Sequence, residues 1–207
     1  MDSASLLTYV AAVLVLLVIP GPAILIITTR TVRGGTRAGL LTGAGVATGD
    51  LVHAGFAALG LSALLMTSAS AFQVVKLAGA AYLLYLGVRA ILEKPSDVGD
   101  ASAPRGDSRL NYLQGLFSEV LNPKVALFFL AFLPQFVNPS GGGVTGQLAL
   151  LGGIYVALSI AFIVALVTVA GPLVARLRRS RRFNLWQGKV VGVVFIALAA
   201  RVALQQR

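Results

Sequence analysis

Several ionisable side chains lie inside apolar stretches of this chain, where charge is costly and usually has a function. Asp50 lies about twelve residues into its stretch, near the middle of a membrane-spanning helix, and no lysine or arginine lies one turn away. A carboxylate at that depth can carry a proton or pair with the ammonium group of a substrate. It can equally be a structural carboxyl group that is hydrogen-bonded to a neighbouring helix. The sequence leaves both interpretations open.

His53 follows Asp50 at i+3 and shares its helical face. A histidine beside a carboxylate can relay protons, and in that case His53 would take part in proton coupling with Asp50. It can also be an interior polar group whose hydrogen bonds are satisfied by its neighbours. The sequence does not separate these two roles.

Glu119 and Asn122 form a second polar cluster on one helical face, and Lys124 would point away from that face on an unbroken helix. Pro123 breaks the helix at this point. The break would let Lys124 turn inward to meet a substrate carboxylate or Glu119. Otherwise Lys124 is an ion-pair partner that neutralises Glu119.

Two proline-containing breaks interrupt apolar stretches, Pro20-Gly21-Pro22 near the N-terminus and Asn122-Pro123-Lys124 in the second half. Because proline removes a helical hydrogen bond, the carbonyls of Leu16, Val18 and Glu119 lose their usual partners. In a membrane, such irregular backbone persists only against protein or a wet cavity. Freed N–H groups favour a carboxylate and freed carbonyls favour an ammonium group, so the breaks predict a site for a zwitterionic amino acid.

The composition is that of an integral membrane protein. Of 207 residues, 57% are hydrophobic and 12% are charged, against about 25% charged in soluble domains, and the mean hydropathy is +0.87. The chain has no cysteine and one histidine, which excludes thiolate and multi-histidine metal sites, and no cofactor is expected. An enzyme would need a nucleophile–base or metal constellation, and none is visible. The net charge of +10 lies in particular loops, so nucleic-acid binding is not expected.

Six stretches are long and apolar enough to span a membrane as helices. Period-two alternation is absent, which disfavours a β-barrel. The N-terminus is acidic and lacks a small-x-small cleavage site, which favours a retained first helix over a signal peptide. The predicted helices are 6–28, 38–66, 70–92, 114–137, 147–172 and 186–204.

Among the links, those after helices 1, 3 and 5 contain basic residues, whereas those after helices 2 and 4 contain no lysine or arginine. The positive-inside rule therefore places links 1, 3 and 5 in the cytoplasm and both termini outside. Lys76 is interpreted as a snorkelling lysine, and the basic run in link 5 as a lipid-facing segment. The basic residues of the three links are Arg30, Arg33, Arg37, Lys94, Arg105, Arg109, Arg176, Arg178, Arg179, Arg181 and Arg182.

Three helices per half is an odd number, so the two halves must run in opposite directions. This predicts a single transmembrane domain, 1–207, built as two inverted three-helix repeats, 1–92 and 114–207, joined by a cytoplasmic loop, 93–113. Both breaks lie about eight residues from a cytoplasmic helix end, roughly 12 Å deep. The broken helices 1 and 4 should therefore meet at one level.

Small residues recur through the second stretch at Gly35, Gly39, Gly43, Gly45 and Gly49. They superficially match a dinucleotide-binding loop but lack the preceding strand that such a loop needs. They predict close helix packing instead, either inside one chain or in a homodimer. Gly43 lies on roughly the side of Asp50 and is expected to leave room for substrate there.

These motifs together resemble the lysine exporter (LysE) superfamily, with the closest likeness to its RhtB branch (homoserine/threonine resistance). The resemblance spans nearly the whole chain and implies a bacterial inner-membrane amino-acid exporter driven by the proton gradient. It does not specify the amino acid, and His53 is not part of the family pattern. The residues that carry it are Pro20-Gly21-Pro22, Arg33-Gly34-Gly35-x-Arg37-Ala38-Gly39, the glycine run to Asp50, the segment 76–87, Leu121-Asn122-Pro123-Lys124, Phe128-Phe129 and Leu133-Pro134-Gln135-Phe136-Val137.

The sequence therefore predicts a proton-coupled exporter that works by alternating access. Asp50 would be the coupling carboxylate, and the two breaks with Glu119 would hold the amino acid. A transporter of another small solute or a cation, or a non-transporting membrane subunit, are the alternatives. A metal cargo is disfavoured because carboxylates are few and thiols are absent.

Overall fold

The computed structural model describes residues 3–19, 21–61, 107–138 and 143–168, together with thirteen isolated helical positions at 74, 77, 81, 84, 85, 88, 91, 92, 189, 193, 196, 197 and 200. Regular structure within these ranges is entirely helical. Several features predicted from the sequence lie outside the described residues. They are Pro20, Lys76, most of the predicted third and sixth helices, most of the predicted loop 93–113 and the basic run Arg176–Arg182.

Five α-helices make up the continuous described ranges. α1 is Ser3–Val18, and α2 is Pro22–Phe56, which continues as a π-helical turn over Ala57–Leu61. α3 is Ser108–Val120, and the short α4 is Pro123–Leu127, followed by a π-helical turn (Phe128–Phe132) and a 3-10 turn (Leu133–Phe136). α5 is Val144–Thr168.

Both predicted breaks are present. α1 ends at Val18, and α2 begins at Pro22 after an extended Gly21 (φ −129°, ψ −175°). α3 ends at Val120, and α4 begins at Pro123 after Asn122. In each case a proline is the first helical residue, where its fixed φ suits the helix and its missing N–H costs nothing. The helices around the second break are bent by 42°.

The sequence predicts a link over residues 29–37 between the first two helices. In the structure this link is reduced to one residue, Gly35, because the chain is helical on both sides of it. Gly35 has φ +77° and ψ −179°, and α2 is otherwise helical. Ile24 and Asp50 line one cavity, although on a straight helix they would lie about 39 Å apart. The chain therefore folds back at Gly35 into two arms, 22–34 and 36–56, and glycine alone adopts that φ cheaply.

The helix predicted to begin at residue 114 begins earlier in the structure. α3 begins at Ser108 because Asp107 caps it, its carboxylate accepting a hydrogen bond from the Arg109 N–H at 2.9 Å. The predicted loop is therefore shorter at its C-terminal end than 93–113. α5 also begins slightly before its predicted start of 147.

Among the described residues, α5 alone is both long and apolar enough to cross a membrane. The number of such spans rises to three if each helix pair bent at a break is taken as one crossing. The two further candidate crossings are Ser5–Val18 with Pro22–Gly60, and Ser108–Val120 with Pro123–Phe136.

Glycines bring the second arm of α2 against α3 at backbone distance. A Cβ on Gly45 would collide with the carbonyl oxygen of Tyr112, and a Cβ on Gly115 would collide with the carbonyl oxygen of Thr42. The predicted close packing is therefore confirmed, and it occurs within one chain. The expectation that Gly43 leaves room for substrate is wrong, because the side chain of Ile163 fills that space.

Two apolar clusters lie on either side of the polar residues. The larger one contains interlocked aromatic rings, in which Tyr9 donates a hydrogen bond to the carbonyl of Leu151 at 2.9 Å. Its rings are Tyr9, Phe128, Phe129, Phe132, Phe136 and Tyr155. The smaller cluster is aliphatic and contains Ile27, Val46, Ile163, Leu166 and Val167.

Candidate functional site

A small cavity lies where the two breaks meet. Its volume is about 30 Å³, which suffices for one or two water molecules, whereas ligand pockets usually measure about 300–1,000 Å³. It is lined by residues of α1 to α5, and the apolar clusters contribute its walls. The lining residues are Leu17, Ala23, Ile24, Ile27, Val46, Asp50, Glu119, Asn122, Lys124, Val125, Tyr155, Ser159, Phe162 and Ile163.

Asp50 faces this cavity from the second arm of α2 and is only 1% exposed. Its Oδ2 accepts a hydrogen bond of 2.6 Å from the hydroxyl of Ser159 on α5. Its Oδ1 has no hydrogen-bond partner among the described residues. A buried carboxyl oxygen without a partner is costly, so Asp50 retains capacity to bind a proton or an ammonium group.

Glu119 places a second carboxyl group at the cavity, and α3 positions it just before the break. Its Oε2 accepts a hydrogen bond of 3.2 Å from the Asn122 side chain, and its carboxyl group interacts with that of Asp50. A Cβ on Gly49 would approach the Cβ of Glu119 to 2.6 Å. Glycine at position 49 therefore allows α3 to bring this carboxyl group close to Asp50.

The backbone carbonyl of Glu119, which the break deprives of its helical partner, has two replacement contacts. The Asn122 N–H donates to it at 2.9 Å, and the Nε2 atom of His53 lies 2.9 Å from it. Because a carbonyl oxygen only accepts, Nε2 must carry the proton. The His53 ring also stacks on Phe129, with ring centroids 6.1 Å apart. His53 therefore contacts the backbone of the break and does not line the cavity.

Lys124 bridges the two breaks. Its Nζ donates hydrogen bonds to the carbonyls of Leu16 at 3.2 Å and Ile19 at 3.1 Å. The Leu16 carbonyl is one that the sequence predicts to be without a helical partner. The ammonium group also interacts electrostatically with Glu119 and Asp50. Lys124 therefore turns inward at the break, as the first alternative predicts, and its hydrogen bonds go to the backbone of the first break.

Asn122 organises the second break locally. Its side-chain oxygen accepts from the Lys124 N–H at 3.1 Å and caps α4, while its amide nitrogen donates to Glu119. The residue is 2% exposed. One side chain therefore satisfies a free N–H of the helix start and orients an acidic group at the cavity.

The structure brings most of the predicted site residues together. Asp50, Glu119, Asn122 and Lys124 line one cavity. Gly21 lies against the Lys124 ammonium group, since a Cβ there would be 3.3 Å from Nζ. Pro22 and Pro123 shape the two helix starts, and Pro20 lies outside the described residues.

Two polar lining residues on α5 were not predicted. Tyr155 and Ser159 are four positions apart, on one helical face, and both are buried. The available signal was weak, because single hydroxyl groups are common in membrane helices. Only the position of α5 against Asp50 shows that this face belongs to the site.

The chemistry of the cavity is that of recognition rather than catalysis. Two carboxyl groups and one ammonium group surround it, with the carbonyls of the first break beside them. Such groups can hold both charged ends of a zwitterion. Within the described ranges, no set of three histidine, cysteine, aspartate or glutamate side chains is grouped as metal ligands.

Comparisons with known proteins agree on one family. The model of the LysE type translocator family matches residues 14–206. The chain is 30% identical to an uncharacterised membrane protein, YrhP, of Bacillus subtilis (strain 168), over 97% of this chain and 99% of that protein. It is also 30% identical to the leucine efflux protein of Klebsiella pneumoniae, over 97% of this chain and 95% of that protein. No solved structure matches the chain significantly.

Proposed function

The chain belongs to the LysE family of translocators and is a membrane transport protein rather than an enzyme, and from this premise we propose that it exports neutral amino acids from the bacterial cytoplasm. The cavity between the breaks carries the proposal, because it presents carboxyl groups, an ammonium group and backbone carbonyls together. Relatives named leucine efflux protein make leucine the first candidate. Threonine and homoserine are further candidates.

The proposed architecture is six membrane-spanning helices in the bacterial inner membrane, with both termini on the periplasmic side. It comprises two inverted repeats in a single domain, predicted as 1–92 and 114–207 around a cytoplasmic loop, 93–113, of which the part from Ser108 onwards is already helical. Its support is the basic charge of alternate links and the contact of Lys124 in the second break with the carbonyls of the first. Membrane lipid and a second copy in a homodimer are the proposed partners besides substrate and protons.

The proposed mechanism is alternating access around the cavity. At about 30 Å³ the cavity is too small for an amino acid, so the described conformation must open for substrate to enter. Asp50 would take up a proton when substrate leaves, because its Oδ1 is buried without a partner. The backbone at Pro20–Pro22 and at Asn122–Lys124, with Glu119, would hold the amino acid.

Proton coupling is energetically sufficient for this task. One proton crossing a potential of about 150 mV releases roughly 3.5 kcal/mol. Since a tenfold concentration ratio costs about 1.4 kcal/mol, one proton sustains an outward gradient of a few hundredfold for a neutral solute.

The test is efflux of leucine, threonine, homoserine and lysine from proteoliposomes, with and without an imposed proton gradient. We expect gradient-stimulated loss of one or a few neutral amino acids. Asp50→Asn should abolish the stimulation, because an amide cannot carry the proton. Ser159→Ala, which removes only the hydrogen bond to Asp50, is the matched control and should reduce efflux while preserving the stimulation.

Two results would overturn the proposal in different places. Unchanged coupling in Asp50→Asn would remove Asp50 from the proton pathway. If folded, inserted protein moves no amino acid, the cargo is another small solute or a cation, or the chain is a non-transporting subunit.

A further inference from the structure

The ammonium group of Lys124 occupies a position that a transported ammonium group would also suit. Nζ is held by two carbonyls of the first break, those of Leu16 and Ile19, which are called the carbonyl pair below. Carbonyls released by a helix break are favourable cation ligands in membrane transporters. In this conformation, the ligand on the carbonyl pair is the protein's own cation.

The first break is built to accept this side chain. Gly21 has an extended backbone that any residue can adopt, with φ −129° and ψ −175°. A Cβ at that position would lie 3.3 Å from Nζ of Lys124, which is closer than ordinary contact, and 3.6 Å from Cε, which is in ordinary contact. The absence of a side chain at Gly21 therefore opens the path along which Lys124 reaches the carbonyl pair.

Lys124 also has other groups to move to. Its ammonium group interacts with the carboxyl groups of Glu119 and Asp50, which line the same cavity. The lysine stem is long and flexible, so Nζ can leave the carbonyl pair without movement of α4. It would then face the cavity, where a substrate carboxylate can bind to it.

We propose that Lys124 is a tethered substitute for the substrate's ammonium group: it occupies the carbonyl pair in the empty transporter, and an arriving amino acid displaces it. The displaced Lys124 ammonium group then pairs with the carboxylate of the same amino acid. This inference rests on the proposed function and identifies the groups that recognise each end of the substrate.

The exchange explains selectivity for zwitterions. A simple amine can displace Lys124 but brings no carboxylate, so the displaced ammonium group and the amine must share the carboxyl groups of Glu119 and Asp50. An amino acid supplies both groups. Lys124 therefore opposes the binding of amines and supports the binding of amino acids.

The test compares binding of leucine and of 3-methylbutylamine, which is leucine without its carboxylate, to purified protein. In Lys124→Met the amine should bind about tenfold tighter than in wild type, because its competitor is gone, and leucine about tenfold weaker. Gly21→Ala retains the charge but crowds Nζ, which would lie 3.3 Å from the new Cβ, and should weaken its hold on the carbonyl pair. It should bind the amine several-fold tighter while retaining leucine binding.

Gly153→Ala is the matched glycine control, because no atom of the described residues lies within 4 Å of a Cβ at that position, and it should change neither affinity. Amine affinity that does not rise in Lys124→Met overturns the proposal, and leaves Lys124 as a structural cap or a simple carboxylate ligand. If Lys124→Met does not fold, unchanged amine affinity in Gly21→Ala has the same meaning. Failure of the export function itself appears separately, as absence of amino-acid efflux from proteoliposomes.

Discussion

The two helix breaks differ in where their exposed backbone groups find partners. At the second break, Asn122 caps the new helix and its own N–H bonds the Glu119 carbonyl. At the first break, the residue before α2 is Gly21, which has no side chain to cap the helix. Two of its carbonyls, those of Leu16 and Ile19, depend on Lys124, more than a hundred positions along the chain.

This difference indicates which break can rearrange. A break satisfied by its own neighbours keeps its shape when the surrounding helices move. A break satisfied by a distant, flexible lysine loses its partner when that lysine moves, and a ligand can take the lysine's place. We expect the second break to act as a fixed support for Glu119 and the first to change its contacts during transport.

The largest effect is expected where the helices of the two breaks touch. Gly115→Leu would place a side chain in the carbonyl of Thr42, and α2 and α3 would have to separate. Overpacking typically costs about 1–3 kcal/mol, and this contact with backbone should exceed it. The measurement is the yield of monodisperse protein in detergent, which should fall sharply.

Gly146→Leu serves as the control for this variant, because within the part of the chain that the structure describes nothing lies within 4 Å of its Cβ position. It should purify like wild type. Normal yield and transport in Gly115→Leu would show that the contact between the breaks does not require the observed helix spacing.

The breaks were predictable from sequence because proline acts locally. Pro22 and Pro123 forbid a continuous helix whatever surrounds them, and Asp50, Glu119, Asn122 and Lys124 were identified as charged or polar residues within apolar stretches. The partners of the freed carbonyls were not predictable in the same way. Which side chain reaches the Leu16 carbonyl depends on how α4 packs beside α1.

The turn at Gly35 shows a second limit. Its surroundings are polar and basic, which predicts a link several residues long, yet one left-handed glycine suffices. Ser159 shows a third, since its type and spacing are ordinary for a membrane helix. Its role follows from the hydrogen bond of 2.6 Å that its hydroxyl donates to Asp50. This is a tertiary contact, which the local sequence pattern does not predict.

The second largest effect is expected from removing the local cap of the second break. Asn122→Ala loses the cap on Lys124 N–H and the donor to Glu119. Loss of an N-cap costs about 1 kcal/mol, and an unpaired buried carboxyl oxygen adds about 1–3 kcal/mol. We expect a clear drop in thermal stability and loss of efflux.

Asn122→Ser sharpens this result, because it keeps an uncharged oxygen for the cap but lacks the amide that donates to Glu119. It should recover the cap's share of stability and remain defective in efflux. Equal stability of the alanine and serine variants would contradict the view that Asn122 holds the break in place.

A smaller effect is expected at His53, because the Glu119 carbonyl also accepts from the Asn122 N–H. His53→Ala should cost about 0.5–1.5 kcal/mol, the value of one hydrogen bond. His53→Gln offers a side-chain N–H to the same carbonyl and should lose less. Thermal unfolding of the two variants measures the difference.

The same glutamine variant tests the proton-relay role predicted for His53, since an amide does not titrate. If His53 acts only as a backbone contact, gradient-stimulated efflux persists in His53→Gln. Loss of stimulation in folded protein would instead assign His53 to the proton pathway alongside Asp50.

The smallest effect is expected from replacing the proline of the second break. Pro123→Ala restores an N–H that could bond the Glu119 carbonyl, but two donors already lie there, and Asn122 still caps α4. The break should therefore persist, with stability changed by less than about 1 kcal/mol and efflux near that of wild type.

Pro22→Ala is the matched variant at the first break, where no side chain caps the helix start. Its new N–H can bond the Val18 carbonyl and extend α2 towards α1, so efflux should fall more than in Pro123→Ala. Equal efflux from the two variants would mean that both breaks are held in the same way, because proline would then be equally dispensable, or equally necessary, at each.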